Sequence, residues 1–284
     1  MMQNILLAVS GLGHAEEMLK FMEEIPSIQR AKVTVLHVVP PQTTAEGMTL
    51  KWEEGGKILA NAIQKLQLNP NQVSSVLRQG EPKDVVCQVA DEIDADLIIM
   101  GSRGLKRLQS ILANSVSQYV FQLSSRPMLL VKDDIYVKRI NRIMVAVDKS
   151  DASKYCLDLA LFMLRDIKGG ELILTHVMTD LKSPSAETAE VNAEKHPILA
   201  AAANEAKRLG VKYRSILGIG KPGEKVCSLA EEMSVDLLLL GSPDRRPSIA
   251  KSFVDLDKLL GSSLSDYVRI NATCPVLLAR TAAA

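Results

Sequence analysis

The sequence lacks several features that would place it in a simple class of protein. Its 34 lysines and arginines nearly cancel its 33 aspartates and glutamates, and a net charge of +1 gives no general attraction to nucleic acid or to an anionic membrane. The four cysteines have no Cys-x-x-Cys spacing, which argues against a zinc site or a thioredoxin-type motif. A basic leader-like N-terminus and an apolar run of about 18 residues are both missing. We therefore expect a cytoplasmic protein that binds no nucleic acid, membrane or metal.

The chain is instead rich in internal repetition. Its 284 residues suit two α/β domains better than one, and the second half echoes the first. Residues 5–10 (ILLAVS) return as 143–148 (IMVAVD), and residues 96–102 (DLIIMGS) return as 236–242 (DLLLLGS). His37-Val38 likewise returns as His176-Val177. Residues 115–120 (SVSQYV) match 263–268 (SLSDYV) after eight extra residues in the second half. These matches indicate a tandem duplication.

Each repeat alternates short β-branched runs with stretches of helical periodicity, which is typical of βαβ units around a parallel sheet. The predicted strands have no polar face, as expected where helices cover both sides of a sheet. We predict two tandem Rossmann-like α/β domains, residues 1–134 and 135–284, each an open five-stranded parallel sheet flanked by about four helices. The join at 132–138 is short and charged, so the domains are expected to pack as a pseudo-dimer within one chain.

Ligands of an open parallel sheet bind beyond the carboxyl ends of the strands, where the strand order reverses. At such an end, Gly101-Ser102-Arg103-Gly104 is followed by nine residues and then by Asn114-Ser115-Val116, which opens a predicted helix. Glycine lets backbone N–H groups close on an anion, and a helix N-terminus adds unsatisfied donors and the positive end of a dipole. The segment therefore predicts a phosphate-binding loop. The alternative is that the glycines make a tight turn and Ser115 only caps the helix.

Taken together, these motifs resemble the universal stress protein family over residues 4–280. The resemblance implies two domains of the adenine nucleotide alpha hydrolase-like type that bind ATP or another adenine nucleotide, alone or with magnesium. It also implies that the end of the first strand meets the base and ribose and that the valine of His-Val packs on adenine. The glycine-rich loop would hold the phosphates.

Carried over position by position, the resemblance implies one nucleotide site in each half. The first set is Ala8, Val9, Ser10, Val38, Met100, Gly101, Ser102, Arg103, Gly104, Asn114, Ser115 and Val116. The second set is Ala146, Val147, Asp148, Val177, Gly241, Gly261, Ser262 and Ser263.

Both halves depart from the family pattern. In the first half, Ser10 stands in place of the family's aspartate and Asn114 in place of its third glycine. The second half keeps Asp148, but Asp244 replaces its second loop glycine. An aspartate facing phosphates is unfavourable, although the arginine pair 245–246 could compensate. We predict phosphate binding in the first half; the second half either takes a less phosphorylated ligand such as AMP or extends its longer loop toward the other half.

The leading hypothesis is a non-catalytic, nucleotide-binding stress protein with a regulatory or protective role, an adenine nucleotide and an unidentified protein as partners, and pairing of two chains left open. The alternative is an enzyme or redox protein: a slow ATPase, a self-phosphorylating protein, or a thiol-dependent oxidative-stress protector that uses Cys87 and Cys227. Buried packing is the simpler role for these two cysteines. His37 and His176 could serve a ligand, but hydrogen-bonded structural histidines are the simpler interpretation. No catalytic residue is predicted, because no general base lies beside an activated nucleophile.

Overall fold

The computed structural model describes residues 2–11, 14–102, 116–135, 139–179, 193–242 and 263–280. The chain forms two compact units, Met1–Tyr136 and Val137–Ala284, called here the first half and the second half. Each half is an α/β domain with a parallel sheet. No helix in these described ranges is long and apolar enough to cross a membrane.

The first half alternates strands and helices along the chain. Its elements are β1 (Asn4–Ala8), α1 (Ala15–Glu23), β2 (Lys32–Val39), α2 (Ala45–Leu66), β3 (Val73–Gln79), α3 (Pro82–Glu92), β4 (Leu97–Ser102), α4 (Val116–Leu123) and β5 (Met128–Lys132). The strands are parallel and lie in the order β3-β2-β1-β4-β5. The order therefore reverses between β1 and β4.

The second half repeats this plan. Its elements are β6 (Arg142–Ala146), α5 (Asp151–Leu164), β7 (Glu171–Met178), a 3-10 turn (Ala193–Lys195), α6 (Pro197–Arg208), β8 (Tyr213–Ile219), α7 (Pro222–Glu232), β9 (Leu237–Gly241), α8 (Leu264–Asn271) and β10 (Val276–Ala279). The strands are parallel in the order β8-β7-β6-β9-β10. The predicted fold class, two tandem Rossmann-like α/β domains with five-stranded parallel sheets, is confirmed.

The central strands form the core of each half. Residues 5–7 of β1 and 143–145 of β6 are completely buried, as are residues 237–239 of β9. Consecutive side chains of a strand point to opposite faces of the sheet. Since three consecutive residues of each of these strands are buried, both faces of the sheet are covered there. This explains why the strands have no polar face.

A repeated aspartate holds the start of each central strand. Asp96 Oδ2 accepts hydrogen bonds from the backbone N–H groups of Gln3 (2.6 Å) and Asn4 (2.9 Å). Asp236 Oδ2 accepts the same pair of bonds from Asn141 and Arg142, both at 2.8 Å. A carboxylate that accepts two N–H bonds from consecutive residues fixes its own chain segment against the segment that donates them. Each aspartate therefore aligns neighbouring strands whose carboxyl ends carry the predicted site residues.

Candidate functional site

The strand reversal in the first half brings two predicted segments side by side. Ala8 of β1 pairs with Met100 of β4, so residues 8–10 and 100–102 lie at the same carboxyl edge of the sheet. The side chains of Val9, Met100 and Ser102 are buried, whereas Ser10 is exposed at the edge. A crevice at a reversal of this kind is where open α/β sheets bind ligands.

A histidine on the neighbouring strand fixes this edge. The Nδ1 atom of His37 donates a hydrogen bond to the Val9 carbonyl oxygen at 2.8 Å, because a carbonyl oxygen can only accept. The backbone N–H of Val9 in turn donates to the Leu36 carbonyl oxygen at 2.9 Å. On its outer side the imidazole meets α2, where a Cβ added to Gly55 would lie 2.9 Å from His37 Cδ2. The predicted hydrogen bonding of His37 is thus confirmed, and its bond positions the segment before Ser10.

The rest of the first predicted set is divided between described and undescribed residues. Val38 is buried on β2 beside His37, and Gly101 is half-buried at the end of β4. Val116 is the exposed first residue of α4, which packs against β4. Arg103, Gly104, Asn114 and Ser115 lie outside the described residues. The phosphate-binding role of the loop accordingly stays a prediction.

The second half builds the same edge with different side chains. Ala146 of β6 pairs with Leu240 of β9, and the Val147 N–H donates to the Thr175 carbonyl oxygen at 2.8 Å. His176 Nδ1 donates to the Val147 carbonyl oxygen at 2.7 Å, so the predicted hydrogen bonding of this histidine is confirmed as well. Val177 follows it, half-buried, on β7.

Asp148, the acid that the first half lacks, is exposed at the end of this edge. Its Oδ1 atom accepts hydrogen bonds from Ser150 N at 2.8 Å and from Ser150 Oγ at 2.5 Å. Ser150 is the N-cap of α5 and accepts a bond from Ser153 N at 3.1 Å. One oxygen of the carboxylate is therefore committed to the turn that starts the helix.

Gly241 has a packing role at the end of β9. A Cβ at this position would lie 2.6 Å from Ser153 N and 2.7 Å from the carbonyl carbon of Ala152, both in the backbone of the first turn of α5. Only glycine allows that close approach. Gly261 and Ser262 lie outside the described residues, and Ser263 is the N-cap of α8.

The sequence interpretation missed a second histidine at this edge. His196, directly before α6, stacks on His176 with ring centroids 4.7 Å apart and an interplanar angle of 26°. Burial lowers the pKa of His196, and the nearby His176 and Lys149 lower it further. The sequence holds one signal for it, which is a mismatch between the repeats. Leu199 matches Leu59 at a spacing of 140 residues, and at the same spacing His196 corresponds to Gly56.

The two matched cysteines are half-buried on α3 and α7. Burial raises the pKa of the Cys87 thiol to about 11, and the acids Asp91 and Asp84 act in the same direction. A thiol with such a pKa is almost wholly protonated at neutral pH, whereas the thiolate is the reactive form. Among the described residues, no group of three or more His, Cys, Asp or Glu side chains is arranged to hold a metal ion.

Comparison with known proteins gives consistent matches. The model of the universal stress protein family matches residues 1–132 and again residues 139–280. The universal stress protein YxiE of Bacillus subtilis is 30% identical over 148 residues, which are 46% of this chain and 100% of that protein. A universal stress protein of Thermus aquaticus is 31% identical over 139 residues, with the same coverage of 46% and 100%. The crystal structure of a universal stress protein from Archaeoglobus fulgidus superposes with a TM-score of 0.73 at 20% identity, covering 98% of this chain and 96% of that one, and so shares the fold.

Proposed function

The chain belongs to the universal stress protein family, and from this membership we propose that it is a non-catalytic protein that binds an adenine nucleotide and has a regulatory or protective role in the stress response. The proposed ligand is ATP or another adenine nucleotide. Its proposed place is the carboxyl edge of the first half, where residues 8–10 and 100–102 lie on adjacent strands.

The observation that carries the proposal is the strand reversal between β1 and β4. It supports a ligand crevice at the carboxyl edge where β4 ends at Ser102, inside the glycine-rich sequence 101–104. The backbone of Val9, held by the hydrogen bond from His37, would form one wall for a planar base, and Ser10, exposed directly after it, would lie on the side of the ribose.

Bound nucleotide would change the stability of the folded protein and the populations of its conformations. A ligand that binds only the folded form stabilises that form by mass action, and it favours whichever conformation it fits best. The proposed role is therefore that of a nucleotide sensor: a partner protein would bind the form of the protein that holds nucleotide.

The thiol alternative has less support. A protector that used Cys87 would need a thiolate, and burial among acidic neighbours holds the pKa of this thiol near 11. We therefore keep nucleotide binding as the proposed function, and we assign the cysteines to packing.

The test is calorimetric titration of the full chain with ATP, ADP, AMP and a cyclic dinucleotide. We expect saturable binding of at least one adenine nucleotide. Gly104→Leu should weaken this binding by about tenfold or more, because a side chain there fills the space in which backbone N–H groups would approach a phosphate. Hydrolysis measured on the same samples separates simple binding from a slow ATPase.

Gly56→Leu is the matched control. Gly56 lies exposed on α2, and a Cβ at this position meets nothing within 4 Å, so the substitution should leave affinity unchanged. If Gly104→Leu retains full affinity, the loop assignment is wrong. If none of the four ligands binds the unmodified protein, the proposed function is wrong.

A further inference from the structure

A cavity of about 300 Å³ lies in the first half, between the start of α1 and the C-terminal part of α2. These two helices pack against each other, and the cavity opens between them. It is called here the α1–α2 cavity, and its described lining residues are Gly11, Glu16, Ile58, Asn61, Ala62, Gln64 and Lys65. None of these seven residues belongs to either set of predicted nucleotide-site residues.

The α1–α2 cavity lies on the side of the sheet away from the valine that the family resemblance places on adenine. His37 and Val39 of β2 face α2, because a Cβ on Gly55 would lie 2.9 Å from the first side chain and 3.1 Å from the second. Consecutive side chains of a strand point to opposite faces, so Val38 points away from α2. The cavity is therefore a different place from the proposed site of the adenine base.

Glu16 places a carboxyl group without a partner in the wall of this cavity. It is 5% exposed, and within the described ranges it forms no hydrogen bond and no ion pair. The next acid along α1, Glu17, is bonded to His14 instead. A buried charge costs free energy unless it is paired, and most buried polar groups have a hydrogen-bond partner. Because Glu16 lines the cavity, a ligand in the cavity can supply the missing partner.

The wall formed by α2 carries the opposite charge. Lys65 is exposed and lines the cavity together with Gln64 and with Asn61, which lies one helical turn earlier. Over the described parts of the chain, Lys65 and Glu16 form no ion pair with each other. The amide groups of Asn61 and Gln64 can both donate and accept hydrogen bonds, and Ile58 adds apolar surface. The cavity therefore presents one acid, one base and neutral amide groups.

The second half shows that the fold does not require these two charges. The apolar positions of α1 match those of α5 at a spacing of 137 residues, which places Ser153 at the position of Glu16. The Ser153 hydroxyl is engaged within its own turn, where it accepts a hydrogen bond from Asp148 N at 2.9 Å. At the spacing of 140 residues that relates α2 to α6, Glu205 corresponds to Lys65, and it pairs with an arginine of its own helix. The arrangement of acid and base belongs to the first half alone.

We infer that the α1–α2 cavity binds a small zwitterion, an α-amino acid with an uncharged side chain. The ammonium group of the ligand donates to the Glu16 carboxylate, and its carboxylate pairs with Lys65. A molecule that carries both charges satisfies both walls, whereas a simple cation meets the like charge of Lys65 and a simple anion that of Glu16. The volume of about 300 Å³ is at the small end of the range for ligand pockets, as a ligand of this size requires.

The experiment is calorimetric titration of the full chain with L-alanine, L-serine, L-glutamine and L-leucine. Each is used at up to about 10 mM, which detects dissociation constants of about 1 mM and below. We expect at least one of the four to bind saturably, with one molecule per chain. The corresponding amine without the carboxylate, and the corresponding acid without the amino group, should each bind at least about tenfold more weakly, because each leaves one wall unpaired.

Two substitutions test the two walls. Glu16→Gln should weaken amino-acid binding by about tenfold or more, and Lys65→Gln by about threefold or more, since a pair with an exposed lysine contributes less than one with a buried acid. Glu24→Gln and Lys57→Gln are the matched controls, because they remove the same charges at exposed positions outside the cavity lining. Thermal unfolding establishes that each variant is folded. If Glu16→Gln does not fold, Lys65→Gln and the two ligand fragments decide the question.

Three results would overturn the inference. They are no binding of any of the four amino acids to the unmodified protein, unchanged affinity in a folded Glu16→Gln or Lys65→Gln variant, and an amine that binds as tightly as its amino acid. Titration of the same samples with ATP keeps this test apart from that of the proposed function. Glu16→Gln and Lys65→Gln should leave ATP affinity unchanged, and ATP binding without amino-acid binding would refute the inference alone.

Discussion

At the scale of single residues, Glu23 is a carboxyl group whose burial disfavours its charged form. This carboxyl group is 8% exposed at the end of α1, and its Oε1 atom has no hydrogen-bond partner among the described residues. Burial raises its pKa from the usual 4.5 to about 7. The folded protein therefore holds this proton at pH values where the unfolded chain has lost it.

The sign of the resulting pH dependence follows directly. Because the folded pKa is the higher one, the stabilising effect of the proton is complete below about pH 4.5 and is lost as the pH rises to about 7. Glu23→Gln removes the ionisation, so it should raise the free energy of unfolding by about 1–3 kcal/mol at about pH 8 and change it little at about pH 4. Urea unfolding at the two pH values measures the difference.

Glu24→Gln is the neighbouring control, because Glu24 is exposed and its substitution should have no pH-dependent effect of this kind. Equal effects of Glu23→Gln at both pH values would contradict the assignment of a buried, proton-holding carboxyl.

At the scale of elements, the contact between α5 and β9 depends on Gly241. The backbone of residues 152–153 would lie 2.6–3.0 Å from a Cβ at this position. Backbone atoms cannot move aside as a flexible side chain can, so Gly241→Ala should lower the free energy of unfolding by about 1–3 kcal/mol. The shift in the thermal or urea midpoint of the second half measures it.

Gly56→Ala provides the comparison for this substitution. Its Cβ would meet nothing within 4 Å on the exposed face of α2, so we expect stability to be unchanged or to rise by about 0.5–1 kcal/mol from the better helix propensity of alanine. Equal stability of the two alanine variants would show that Gly241 is not required by this contact.

The same scale explains what the sequence could predict. The strands, the helices and their alternation were predictable because apolar periodicity and the repeat both reflect burial, which the sheet imposes equally on each half. The structural roles of His37 and His176 were predictable for the same reason. The domain boundary at 134/135, the pseudo-dimer and the residues of the 103–115 loop stay predictions.

The residues that escaped prediction are those at which the halves differ. His196 corresponds to Gly56, and Asp266 corresponds to Gln118. Neither residue recurs in the other half, so the internal repeat does not point to them. The hydrogen bonds that link Ser242 to Ser265, Ser265 to Ser263 and Ser263 to Asp266 depend on tertiary contact between the end of β9 and the start of α8. No periodicity in the sequence carries such information.

At the scale of the whole molecule, one fold used twice gives one chain two carboxyl edges whose residues differ. The two sheets have the same strand order, and both carboxyl edges are held by a histidine that bonds the backbone carbonyl after the central strand. The proposed function places the nucleotide in the first half alone. Binding of ATP should therefore stabilise the two halves unequally.

Hydrogen exchange of the intact protein, with and without ATP, measures this asymmetry in a single sample. At ATP concentrations about 100 times the dissociation constant, linkage predicts about 2.7 kcal/mol of added stability for the half that binds. Amides of β1 and β4 that exchange through unfolding of the first half should then slow by up to about 100-fold. Amides of β6 and β9 should change by less than about threefold, and GTP at the same concentration should protect neither half. Equal protection of all four strands by ATP would mean that the second half binds ATP as well, because a nucleotide bound in one half stabilises the segments that unfold with its own site.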